Sequence, residues 1–216
     1  MRWPPAGFYA TLYLAMNLYV ERGRDGKAGR KTGRSEERWH ATRLRIVVWT
    51  AAALLLLLPL VAMQFTDAVN WTIGDFIFAG LLLLGAVFPF DVALRKQRNV
   101  YYIAAVGVAL AAAFLLVWVN AAVGIIGSED NPANLMYLGV LAVGIIGAFL
   151  VRFQPRGMAY ALGTTALAQA LVALIALFAG LGADEPPGRV GILLLNGFFL
   201  MLFAGSAWLF RKATRG

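Results

Sequence analysis

Apolar residues in this chain gather into long runs separated by short polar turns, a pattern that predicts membrane-spanning helices rather than a soluble core. Six runs approach spanning length, at about residues 46–65, 75–94, 101–127, 135–151, 158–181 and 190–210. A helix rises 1.5 Å per residue, so roughly 20 residues cross the ~30 Å hydrocarbon core. The predicted fold class is therefore all-α: a polytopic membrane helix bundle of six transmembrane helices. A shorter apolar stretch at residues 8–20 precedes them. Its tyrosines (Tyr9, Tyr13 and Tyr19) suit an interfacial helix. That reading is preferred to a seventh span or to an extension from a misplaced start codon.

Between residues 21 and 45 the pattern changes to glycine and charge. Nine basic and four acidic residues fall there, with almost nothing to bury. The expectation is two regions: residues 1–45 as an interfacial segment followed by a disordered basic tail, and residues 46–212 as the helix bundle. Contact with anionic lipid is the sharper role expected of the tail, and topological anchoring the plainer one.

Composition reinforces the pattern. Hydrophobic residues are 61% of the chain and charged residues 14%, against roughly half and a quarter in soluble domains. The net charge of +8 does not point to nucleic acid, because the basic residues sit in the tail and at helix ends and no nucleic-acid motif accompanies them. Their placement instead orients the chain. Arg95, Lys96, Arg98, Arg152, Arg156, Arg211, Lys212 and Arg215 fall on the same side as the tail. The opposite loops hold Asp67, Asp75, Glu129, Asp130, Asp184 and Glu185 with one basic residue, Arg189. By the positive-inside rule both termini are cytoplasmic, in a plasma membrane that size and topology assign to the bacterial inner membrane.

Cysteine is absent and His40 is the single histidine. Cys- or His-held metals and haem are therefore not expected, and no cofactor is predicted. Ser-His-Asp chemistry lacks a histidine within the apolar spans, and the carboxylates lie at or beyond helix ends rather than paired at depth. No phosphate-binding glycine loop is present. The chain reads as a non-enzyme.

The informative polar positions are few. Asn120, Gly124 and Gly127 repeat at helical spacing and predict one close-packing stripe on a third span running to residue 127. The turn after it, Ser128-Glu129-Asp130-Asn131-Pro132-Ala133-Asn134, predicts a helix restart capped by Asn131 with Pro132 in the first position. Asn196 lies at a depth below its outer helix end similar to that of Asn120. Together Asn120, Glu129, Asp130, Asn131, Asn134 and Asn196 form the candidate outer-face polar cluster. In the fifth span Leu167, Leu171, Leu174 and Phe178 form a lipid-facing stripe, opposite Thr165, Gln169, Ala173, Ala176 and Gly180. Gly139, Gly144 and Gly147 predict close packing of the fourth span. Thr72 and Asp75 have capping-box spacing, and Asp91 with Arg95 the spacing of a local ion pair.

Two functional classes follow. An accessory or scaffold bundle uses these amides as interhelical ties and takes a membrane-protein partner or a second copy of itself. Alternatively, a small-solute transporter or channel would line its path with Asn120, Gln169, Asn196 and Thr165. The hexapeptide Ala-Val-Gly-Ile-Ile-Gly, at residues 122–127 and again at 142–147, is read as reuse of a packing motif because its flanks differ.

Overall fold

The computed structural model describes residues 42–66, 69–97 and 99–215. The interfacial segment, most of the basic tail and the lipid contact expected of it lie outside those residues. Among the described residues six helical segments are long and apolar enough to cross a membrane: α1 (Thr42–Ala62), α2 (Ile73–Lys96), α3 (Val100–Ala122), α4 (Met136–Leu150, which reaches that length together with the 3-10 turn Pro132–Leu135 before it), α5 (Pro155–Phe178) and α6 (Gly188–Ala213). No strand occurs among the described residues. The chain is an integral membrane protein, an all-helical bundle.

Local chemistry sets the helix starts. Thr72 and Asp75 form the expected capping box: the Asp75 carboxylate accepts from Thr72 N at 2.7 Å, and Thr72 Oγ1 accepts from Asp75 N. Asn99 caps α3 by accepting from the backbone N–H groups of Tyr101 and Tyr102. Its amide also donates to Ala213 O at the end of α6, so one residue starts one helix and secures another. Asp91 and Arg95 pair at 2.7 Å, as their spacing predicts.

Residues 49–216 form one compact unit, with α6 at its centre. α6 packs mainly on α3 and α5, α4 packs mainly on α5 and also touches α3, and α2 packs on α3. The principal contacts therefore run in the order α2, α3, α6, α5, α4, with Tyr137 of α4 also reaching Asn196 of α6. The α3–α6 contact is held by Ser206 Oγ donating to Ala105 O at 2.8 Å and by the edge-on Tyr102–Phe210 ring pair. The α4–α5 contact is built from small residues. A Cβ at Gly147 would lie 2.9 Å from that of Ala161, and one at Gly144 would lie 3.1 Å from Thr165 Oγ1. Gly139, expected to share this role, meets nothing within 4 Å. α5 shows most of the predicted sidedness: Leu167, Leu171, Leu174 and Phe178 are exposed, while Thr165, Gln169, Ala173 and Ala176 are buried; Gly180, expected on the inner stripe, instead lies beyond the helix end at Phe178, exposed and with left-handed backbone.

Two expectations need correction. α3 ends at Ala122 rather than at residue 127, and Gly124 and Gly127 are not on a helical stripe. Both adopt left-handed backbone, φ +72° and +69°, a conformation that glycine reaches without a Cβ clash. Gly124 therefore turns the chain out of the helix. Residues 125 and 126 fold back beneath the loop, where both isoleucines are fully buried.

Candidate functional site

Two polar knots occupy the bundle, one in the core and one at the end bearing the acidic loops. In the core, Gln169 of α5 donates through Nε2 to Asn196 Oδ1 of α6 at 2.9 Å. Asn196 Nδ2 donates to Ile192 O, one turn back on its own helix, and to the Tyr137 hydroxyl of α4 at 3.0 Å. That hydroxyl also lies 3.2 Å from Asn196 Oδ1, within donating distance. All three side chains are at most 2% exposed. In an apolar surround an unpaired amide costs roughly 1–3 kcal/mol, so mutual pairing locks the rotation of three helices at once. Thr165 adds no free polar group, because its hydroxyl donates to Ala161 O on its own helix. Gln169 Oε1 is buried without a protein partner.

At the acidic-loop end, Asn134 organises the second knot. Its Oδ1 accepts from the backbone N–H groups of Ile125 (3.2 Å) and Ile126 (2.9 Å), and its Nδ2 donates to Ser128 O at 2.8 Å. These groups lose helical partners when Gly124 breaks α3, and Asn134 supplies replacements. Asn131 caps the 3-10 turn Pro132–Leu135, accepting from Ala133 N. Asn120 Nδ2 donates to Asn134 O at a long 3.3 Å, and its own Oδ1 is buried and unpartnered. Glu185, from the loop before α6, accepts from Ser128 N at 3.1 Å and approaches Gly127 so closely that a Cβ there would displace its carboxylate.

The six-residue cluster expected from sequence is thus divided. Asn120, Asn131 and Asn134 share the loop knot, Asn196 belongs to the deeper set with Gln169, and Glu129 and Asp130 stand exposed on the loop. Two contributing residues had no sequence signal strong enough to single them out. Tyr137 resembles any aromatic near a membrane interface, and Glu185 any loop acid. The one available hint was that Tyr137 follows Asn134 by three residues, which places it on the same side of the restarting helix.

A groove of about 680 Å³ lies elsewhere, between the first half of α5 and the second half of α6. None of Asn120, Thr165, Gln169 or Asn196 lines it. Among the described residues no group of three or more His, Cys, Asp or Glu side chains is placed to hold a metal ion. No protein-family model matches the chain, and neither the curated proteins nor the solved structures contain a significant match.

Proposed function

We propose that the protein is a non-enzymatic accessory or scaffold bundle of the bacterial inner membrane, with both termini in the cytoplasm, acting by packing against another membrane protein or a second copy of itself. The observation that carries this reading is how the deep amides are used. Gln169, Asn196 and Tyr137 bond to one another across three helices, and none of them lines the groove between α5 and α6. Polar groups arranged in this way fix helix rotation and register. A rigid bundle of that kind presents apolar faces of defined shape.

α1 supplies such a face. Only 6% of its most apolar window is buried, against 22–39% in the other five helices. Leu54 and Leu58, four residues apart on one side, are 60% and 62% exposed. Gentle extraction of the tagged protein should recover a stoichiometric membrane partner or a dimer. The double substitution Leu54→Ala/Leu58→Ala should weaken that association while leaving the helix apolar. A monodisperse monomer carrying nothing, or an association indifferent to the α1 face, would refute the proposal.

A solute path is the second reading. It is favoured by Gln169 Oε1 and Asn120 Oδ1, two buried acceptors with no protein partner that water or a passing solute would satisfy.

A further inference from the structure

We infer that the groove between α5 and α6 is a binding site for one anionic phospholipid, taken from the leaflet at the basic end of the bundle. This inference is independent of the scaffold reading. Three features of the groove converge on that ligand.

The first is charge. Arg156 at the start of α5, and Arg211 and Arg215 at the end of α6, line one end of the groove. Among the described residues no carboxylate side chain lines it, and none of the three guanidinium groups has an ion-pair partner. Arginine forks match phosphate oxygens in geometry as well as in charge. The neighbouring Lys212 is engaged otherwise, with its ammonium 3.9 Å from the centre of the Trp208 ring.

The second is length. From the arginine end the groove runs to Leu167 on α5 and Leu200 on α6. Each path, from Arg156 and from Arg211, covers eleven residues, about 16 Å of helix. That is close to half of a ~30 Å hydrocarbon core, the depth of a single leaflet.

The third is the cross-section. The floor is small, with Gly163 and Ala166 from α5 and Ala204 and Ala207 from α6. The rim is aromatic, with Tyr160 and Trp208 largely exposed beside the arginines at the level where amphipathic rings favour headgroups. A charged mouth at the top of an apolar slot one leaflet deep matches a phosphate headgroup with its acyl chain, whereas free inorganic phosphate would leave the slot unfilled. The volume is within the usual range of ligand pockets, roughly 300–1,000 Å³.

The test is native mass spectrometry of the full-length protein in mixed micelles containing either dioleoyl-phosphatidylglycerol or zwitterionic dioleoyl-phosphatidylcholine. At low salt, one phosphatidylglycerol should be retained with about a hundredfold preference, since each arginine contributes on the order of fivefold. The preference should shrink in 1 M salt, where the screening length is about 3 Å. Arg156→Gln/Arg211→Gln/Arg215→Gln should abolish it. Gly163→Leu/Ala204→Leu should abolish it too by filling the slot with every charge in place, including those of the basic tail. That variant should fold normally: a Cβ at Gly163 meets nothing within 4 Å and Ala204 is exposed. Equal retention of the two lipids would mean ordinary boundary lipid and overturn the inference. Phosphatidylglycerol binding that survives slot filling, or that millimolar inorganic phosphate displaces completely, would mean an anion site and overturn it equally.

Discussion

Asn134→Ala is the most discriminating substitution in the loop knot, because one side chain there holds three backbone groups. The change removes two bonds accepted from Ile125 and Ile126 and one donated to Ser128. At about 0.5–1.5 kcal/mol net for each bond, the loss is roughly 3 kcal/mol. Orphaned buried N–H groups push the cost up, and water entering the space left by the amide, close to exposed Ser128, pulls it down. The expected cost is therefore about 2–4 kcal/mol. Asn120→Leu is the matched control. It gives up one 3.3 Å bond but also deletes a buried acceptor that has no partner, so it should change stability by no more than about 1 kcal/mol. Denaturant unfolding in detergent gives the ranking, and hydrogen exchange gives the location. In Asn134→Ala the amides of Ile125 and Ile126 should exchange at least about 30-fold faster, the equivalent of ~2 kcal/mol. If Asn120→Leu costs as much as Asn134→Ala, or if those two amides keep their protection, Asn134 is not what holds the chain after Gly124.

Two further substitutions test the core. Gln169→Leu loses one bond to Asn196 but also removes a buried unpartnered oxygen, while Tyr137 remains with Asn196; stability should move by less than about 1 kcal/mol in either direction. In proteoliposomes, the scaffold reading expects no flux that depends on this residue. A flux present in the native protein and lost in a stably folded Gln169→Leu variant would favour the solute path. Gly147→Ala places a Cβ 2.9 Å from that of Ala161 and should cost about 1–3 kcal/mol by forcing α4 and α5 apart. Gly139→Ala, with open space around it, should be neutral or stabilising by up to about 1 kcal/mol on helix propensity. Thermal unfolding of the pair in one detergent decides this, and equal effects would mean that the α4–α5 approach is looser than 147 and 161 imply.

The six helices were legible in the sequence because their evidence is additive. Each span repeats the same preference for hydrocarbon some twenty times, so local ambiguity averages out. The lipid face of α5 was legible for a similar reason, with four large apolar residues recurring at helical spacing. The partner of each amide was not legible. Depth and face could place Asn196 and Gln169 in the bundle, but which amide meets which depends on the packing order α2, α3, α6, α5, α4. Periodicity within a single helix carries no information about that order. The grouping of Asn196 with the loop residues failed here. Similar depth below a helix end is compatible with several neighbours, and α6 turns Asn196 towards Gln169 and Tyr137 instead.

The repeated hexapeptide shows where local reading stops. At 142–147 it is continuous helix, with Ile145 and Ile146 58% and 57% exposed and Gly144 and Gly147 pressed against α5. At 122–127 the same six residues leave the helix, both glycines turn left-handed, and Ile125 and Ile126 are fully buried. Composition and propensity are identical, so the difference must come from what each copy can bond to. The second copy lies mid-span, where an N–H leaving the ladder has only hydrocarbon or a neighbouring helix to turn to, and staying helical is the satisfied state. The first copy lies at a helix end where the following turn brings Asn134 within reach, and its amide accepts the two N–H groups that the helix gives up. The helix therefore ends where a competing acceptor exists rather than where apolar residues run out, which is why a hydropathy boundary at residue 127 overshoots the observed end at Ala122.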